Sequence, residues 1–214
     1  MGADATRVVN QLTRDELAVD PLVAARLLLG CVLVAGPVAV RLVEVEAYRG
    51  FDDPASHCYR GRTARNAVMF GPAGHLYVYF VYGMHFCANV VSLVDGVPGA
   101  VLLRAGEVID GVDTAWARRP AARSAAELAR GPARLTSVLG LDRTANGVDL
   151  TDPASPVRLY AGDPVADVCV GPRVGVATAM AVPWRFWVAG SPAVSAYRRG
   201  GKRPAVISDN MTRE

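Results

Sequence analysis

A chain of 214 residues with 51% hydrophobic content is long enough to bury a substantial core within one domain. The most apolar stretch, Leu22 to Val40, is interrupted by Arg26, Gly30 and Gly36-Pro37, which argues against a membrane span and fits a buried helix followed by a strand. The formal charge of +3 is modest but unevenly placed: Arg49, Arg60, Arg62 and Arg65 fall in one segment, and Arg198, Arg199, Lys202 and Arg203 in another, a distribution that suits a polyanionic partner.

In chain order, Thr13 and Glu16 have the spacing of a capping box, and Asp20-Pro21 supplies a second helix start for Leu22 to Leu29, which Gly30 stops. Val32 to Val34 and Val38 to Val45 are β-branched runs joined by Ala35-Gly36-Pro37. The second runs on into Glu44, Glu46 and Tyr48, and period two puts these three side chains on one face. From Gly50 to Gly74, glycine, proline, aspartate and arginine predominate, as in a long functional loop, and this loop carries His57.

Leu76 to Tyr82 and His85 to Ser92 are aromatic and β-branched runs around Gly83, the pattern of a β-hairpin with Tyr82 at or beside its tip. A large ring gains little from burial at a tip, where turn chemistry favours smaller polar residues. A two-residue loop would pair Tyr79 with Ala88 and turn Asn89 away from Tyr77 and Tyr79. A three-residue loop would pair Tyr79 with Cys87 and gather all three on one face.

Asp95 to Gly99 reads as a turn, and Ala100 to Ala105 as a strand carrying Arg104 near its end. Asp113 to Arg130 reads as helix broken at Pro120, and Ala133 to Leu139 as a helix stopped by Gly140. Val157 to Tyr160, Val174 to Ala177 and Arg185 to Val188 are expected short strands. Cys31, Cys58, Cys87 and Cys169 are dispersed, with no C-x-x-C pair, so no metal site is expected. With no secretion signal visible, such thiols imply a reducing cytoplasm and no disulfides.

Several of these segments form a pattern. Glu46-Ala47-Tyr48, His57, Gly74 to Tyr79 with Tyr82-Gly83-Met84 and Asn89, and Leu102 to Ala105 resemble, in order and spacing, the alkyladenine (3-methylpurine) DNA glycosylase family. Gly131-Pro132 with Arg134-Leu135-Thr136, Pro172 to Val176, Pro183 to Phe186 and Gly190-Ser191-Pro192 extend the resemblance over roughly residues 10 to 195. The expected fold is α+β: a single domain with a mixed, mostly antiparallel curved sheet flanked by helices, a protruding hairpin, and flexible ends at about 1 to 9 and 204 to 214.

The resemblance implies an enzyme that flips a damaged purine out of duplex DNA and hydrolyses its N-glycosidic bond. Such a reaction needs a water aimed at the sugar C1′ and a carboxylate to take its proton, and Glu46 matches that carboxylate. Arg104 and the main-chain carbonyl of Val174 match groups that hold the water. Tyr48, His57 and Tyr79 match the walls that stack on the extruded base, Asn89 the residue that crowds the 2-amino group of normal guanine, and Tyr82 the wedge that fills the vacated stack. Arg62, Arg65, Met84 and Arg134 are candidates for backbone contact; the family more often carries lysine at the position of Arg134. The single lysine, Lys202, lies outside the matched motifs, so water is the expected nucleophile, with no strand-nicking step. No cofactor is expected; the expected partner is double-stranded DNA containing damaged purines, with no membrane, and the protein acting as a cytoplasmic monomer. The zinc base deaminases are excluded because H-x-E and P-C-x-x-C are both absent. The alternative is a catalytically silent lesion-binding module.

Overall fold

The computed structural model describes residues 10 to 81 and 83 to 201. The ends expected to be flexible, Tyr82 and Lys202 lie outside the described residues. Two short helices open the fold, α1 (Arg14–Leu17) and α2 (Pro21–Leu28). The Thr13 hydroxyl accepts from the Glu16 amide while the Glu16 carboxylate accepts from the Thr13 amide at 2.8 Å, completing the capping box. The Asp20 carboxylate caps the Leu22 amide at 2.8 Å, with Pro21 as the first residue of α2.

The strands are β1 (Val32–Ala35), β2 (Val38–Tyr48), β3 (Leu76–Val81), β4 (His85–Val91), β5 (Ala100–Asp110), β6 (Ala129–Arg130), β7 (Val157–Tyr160), β8 (Val168–Gly171) and β9 (Arg185–Val188). The sheet runs β3-β4-β5-β2-β1-β7; β6 adds to β5, and β9 adds to β2 and carries β8. All of these pairings are antiparallel. Helices α3 (Val112–Arg118), α4 (Ala125–Leu128) and α5 (Pro132–Leu139) follow β5, so the fold is α+β with its helices against the sheet. The main apolar core has Leu28 of α2, Leu33, Leu42 and Leu103 of the sheet, and Leu135 of α5 all fully buried, with two smaller clusters beside it.

The hairpin fork resolves towards the longer loop. Tyr79 pairs with Cys87 and Val81 with His85, so three residues connect β3 to β4, and Tyr77, Tyr79 and Asn89 share a face. β4 pairs with β5 only through Asn89 to Val91, so the tip half of the hairpin projects beyond the sheet. The open edge of β3 near its base is covered by the chain at 146 to 148: the Leu76 amide bonds the Val148 carbonyl at 2.8 Å and the Asn146 side chain accepts from the Val78 amide at 3.0 Å.

Three expectations need correction. Val174 to Ala177 is not a strand; Pro172 interrupts the chain, the Val174 amide bonds a side chain rather than a neighbouring strand, and the strand lies upstream as β8. The break expected at Pro120 within 113 to 130 is present, with Arg119 out of helical backbone (φ −132°, ψ 59°), but the last two residues, Ala129–Arg130, form strand β6 rather than helix. Strand β5 continues past Ala105 to Asp110. At Gly106 a Cβ would lie 2.3 Å from Val40 Cγ1, so only glycine allows β5 to run this close to β2.

Candidate active site

The site is built where β2 and β5 lose register. Val45 pairs with Leu103 and Glu44 with Ala105, which leaves Arg104 as the extra residue of a β-bulge. Along β2, Val45 and Ala47 join the apolar core, whereas Glu44 and Glu46 face the other side, as period two requires. The bulge places the Arg104 guanidinium between them: Nε donates to Glu44 Oε1 at 3.0 Å, Nη1 to Glu46 Oε2 at 3.3 Å, and Nη2 to the Ser195 hydroxyl at 3.2 Å.

Glu44 is the more tightly held. Its Oε1 also accepts from Arg185 Nε at 2.7 Å and the Ser195 hydroxyl at 2.9 Å, and Oε2 accepts from the Ser195 amide at 2.7 Å. Burial works to raise its pKa, but Arg104, Arg185 and Ser195 outweigh it and hold the carboxyl below its usual range. Glu46 has three donors: the Val174 amide to Oε1 at 2.6 Å, and to Oε2 the Tyr48 hydroxyl at 3.1 Å and Arg104. Here burial prevails over Arg104, the amide and the phenol, and lifts the carboxyl above its usual range. Burial, together with the charge of Glu46, also raises Tyr48, which therefore remains a protonated donor.

Glu46 has no exposed surface, yet Tyr48, Arg104 and Val174, its three donors, all line a cavity of about 570 Å³. The same cavity is lined by His57, Tyr77, Tyr79, Asn89 and Arg65. Tyr77 and Tyr79 stack with centroids 5.3 Å apart, and His57 meets Tyr79 edge-on at 4.7 Å. The Tyr77 hydroxyl lies 3.1 Å from His57 Nδ1, and the Asn89 amide donates to the Tyr77 carbonyl at 3.2 Å. Burial, aided by the charge of Arg65, lowers the pKa of His57 and favours a neutral ring.

Seven residues singled out from the sequence, Glu46, Tyr48, His57, Tyr79, Asn89, Arg104 and Val174, thus meet at one cavity or directly beneath it. Val174 reaches Glu46 through its amide N–H. Arg65 lines the cavity as well; Arg62 and Met84 are exposed, Met84 at the hairpin tip, and Arg134 stands half-buried on α5.

Other supporting residues were not singled out from the sequence. Arg173 and Asp53 form a fully buried two-toothed ion pair, and Arg173 also donates to the Ala47 carbonyl at 3.0 Å. The Arg173 guanidinium lies 4.6 Å from the Tyr48 ring centre, so one buried cation braces both Tyr48 and the loop that carries His57. Asp53 in turn caps the Ala55 amide at 3.0 Å, two residues before His57. Ser195 and Arg185 complete the Glu44 cluster. These partners lie 120 residues apart for Arg173 and Asp53, and 151 for Ser195 and Glu44, so no local spacing reveals them.

The family model described as methylpurine-DNA glycosylase matches residues 15 to 192. Among curated proteins, one of Nocardia farcinica is 58% identical over 91% of this chain and 95% of its own length. One of Rhodococcus jostii is 58% identical over 84% of this chain and 82% of its own. One of Mycobacterium tuberculosis is 49% identical over 91% and 98%. All three carry the name "Putative 3-methyladenine DNA glycosylase".

Proposed function

Because the chain belongs to the methylpurine-DNA glycosylase family, we propose that it removes damaged purines from DNA by hydrolysis, with Glu46 as the base that activates water. The observation that carries this reading is the placement of the hydrogen bonds. A carboxylate offers about four lone-pair positions. Among the described residues Glu44 accepts four hydrogen bonds, three on Oε1 and one on Oε2, in a cluster with Arg185 and Ser195 that does not line the cavity, whereas Glu46 accepts three, all from residues that line it, and keeps one position on Oε1 beneath it. That position suits a water proton at the floor of the aromatic cavity.

In the proposed reaction the purine turns out of the duplex and stacks among Tyr48, His57 and Tyr79, with Asn89 crowding a normal guanine and Tyr82 occupying the gap in the DNA. Water bonds to C1′ and passes a proton to Glu46, the C1′–N bond breaks, and its electron pair leaves with the purine. Arg104 and the Val174 main chain hold the water and the carboxylate. Arg62, Met84 and Arg134 are assigned to the DNA backbone. The enzyme acts as a cytoplasmic monomer and leaves an abasic site without nicking the strand; among the described residues no helix is long and apolar enough to cross a membrane.

The test is Glu46→Gln. Base release from a duplex carrying 7-methylguanine should fall by about 10² to 10⁴, the usual span for loss of a general base, while binding to the lesion persists. Release at the parental rate would remove Glu46 from the chemistry. Borohydride should trap no protein–DNA adduct; a trapped adduct would contradict water as the nucleophile.

A further inference from the structure

The charges around the cavity cancel with one exception. Glu44 and Glu46 stand against Arg104 and Arg185, and Asp53 against Arg173. Arg65 lines the same cavity, yet among the described residues it belongs to none of the ion pairs. Its guanidinium carbon lies 5.6 Å from the centre of the Tyr79 ring, and Nη2 donates to the Phe80 carbonyl at 3.4 Å, which ties the cation to the strand that carries that wall. The same cation helps to keep His57 neutral, so the neighbouring wall adds no charge of its own. The aromatic slot therefore carries a net positive charge, and its source is one side chain.

We propose that Arg65 is a specificity-determining residue that shifts the slot towards neutral damaged purines and away from cationic ones. The inference rests on the glycosylase reading and follows from the charge change at the leaving base. A cationic N-alkylpurine arrives with charge +1 and departs neutral, so a fixed cation at its wall opposes binding, and the relief of that repulsion as the bond breaks only returns what binding lost. A neutral purine departs with the electron pair as a developing anion, which the same cation stabilises only in the transition state. A phosphate contact made by Arg65 would act on every lesion alike, because the backbone charge does not depend on the base.

The experiment compares single-turnover base release from matched duplexes carrying 7-methylguanine, which is cationic, with hypoxanthine and ethenoadenine, which are neutral. The parental protein, Arg65→Gln and Arg65→Lys are measured across a salt series. Arg65→Gln should lower the neutral-to-cationic ratio of kcat/KM by about two- to fivefold, the range expected of an exposed cation beside a ring. Arg65→Lys, which keeps the charge, should restore most of that ratio. Equal losses on all three substrates with a flatter salt dependence would reduce Arg65 to a phosphate contact and overturn the inference, as would an unchanged ratio. A parental enzyme that releases 7-methylguanine but neither neutral base would overturn the inference and leave the glycosylase reading standing. Release of no base would overturn both.

Discussion

Glu44 and Glu46 lie two residues apart on one strand, face the same way, are both fully buried and share Arg104, yet their surroundings drive them in opposite directions. Glu44 is met by two guanidiniums and by both donors of Ser195, and its pKa falls. Glu46 is met by one guanidinium, an amide and a phenol, and its pKa rises. Two carboxyls whose environments separate their pKa values are the pattern expected when one is structural and the other takes part in proton transfer. The difference lies in which donors surround each, not in depth: Glu44 is locked to β9 and to the 195 turn by Arg185 and Ser195, and Glu46 is held by three residues that line the cavity.

The largest difference expected between the two is in stability. Glu44→Ala leaves Arg104 and Arg185 buried without their shared partner and should cost about 3 to 5 kcal/mol, read from urea unfolding. Glu46→Gln keeps the shape and removes a costly buried charge, but turns one accepting oxygen into an NH2 that faces a donor, so its effect on stability should be smaller than that of Glu44→Ala. Equal losses in the two variants would erase the distinction. The next largest effect is in pH dependence. Glu44, with its lowered pKa, contributes stability that is fully present above its ordinary value of 4.5 and lost as pH falls through its lower folded pKa. Glu46, with its raised pKa, works the other way: the folded state holds its proton more firmly, so stability declines as pH rises from 4.5 through its folded pKa. Thermal unfolding of the parental protein and Glu46→Gln between pH 4 and 7 should therefore converge at the acid end and separate above it.

A smaller effect is expected from Ser195→Ala, which removes one hydrogen bond to Glu44 and one from Arg104. A loss of about 1 kcal/mol in stability, with a modest fall in base release through a less firmly held Arg104, is the expected result. Tyr48→Phe sharpens the other side of the comparison. It removes a donor that stabilises ionised Glu46, so the acid limb of the activity profile should move further upward; a downward move would contradict the assignment of that hydrogen bond.

Most of the strands were legible in the sequence because alternation is a local signal, whereas His57, Asn89 and Arg104 were tied to one site only through the family resemblance, since they stand on separate segments. Alternation along 44 to 48 places Glu44, Glu46 and Tyr48 on one face, and the aromatic hairpin announces itself around Gly83. The hairpin register is not local information: the turn residues allow two loop lengths, and the paired strands select the longer one. The sequence was least informative where backbone amides serve side chains. Val174 looks like the start of a strand because it is β-branched and apolar, but its amide is committed to Glu46, and nothing in its neighbours shows that. The bulge at Arg104 and the Asp53–Arg173 pair are hidden for the same reason, since each is set by a partner far away in the chain.

The central claim is that Glu46 titrates as the base while Glu44 remains an ionised structural anchor. It is tested most directly by following the side-chain carboxyl carbons of ¹³C-labelled protein through a pH titration, assigned with Glu44→Gln and Glu46→Gln, beside the pH profile of base release. The account predicts that the Glu46 carboxyl titrates above 4.5, that Glu44 titrates below it, and that the acid limb of activity follows Glu46. A high-titrating Glu44, or an acid limb that persists at the parental rate in Glu46→Gln, would contradict it.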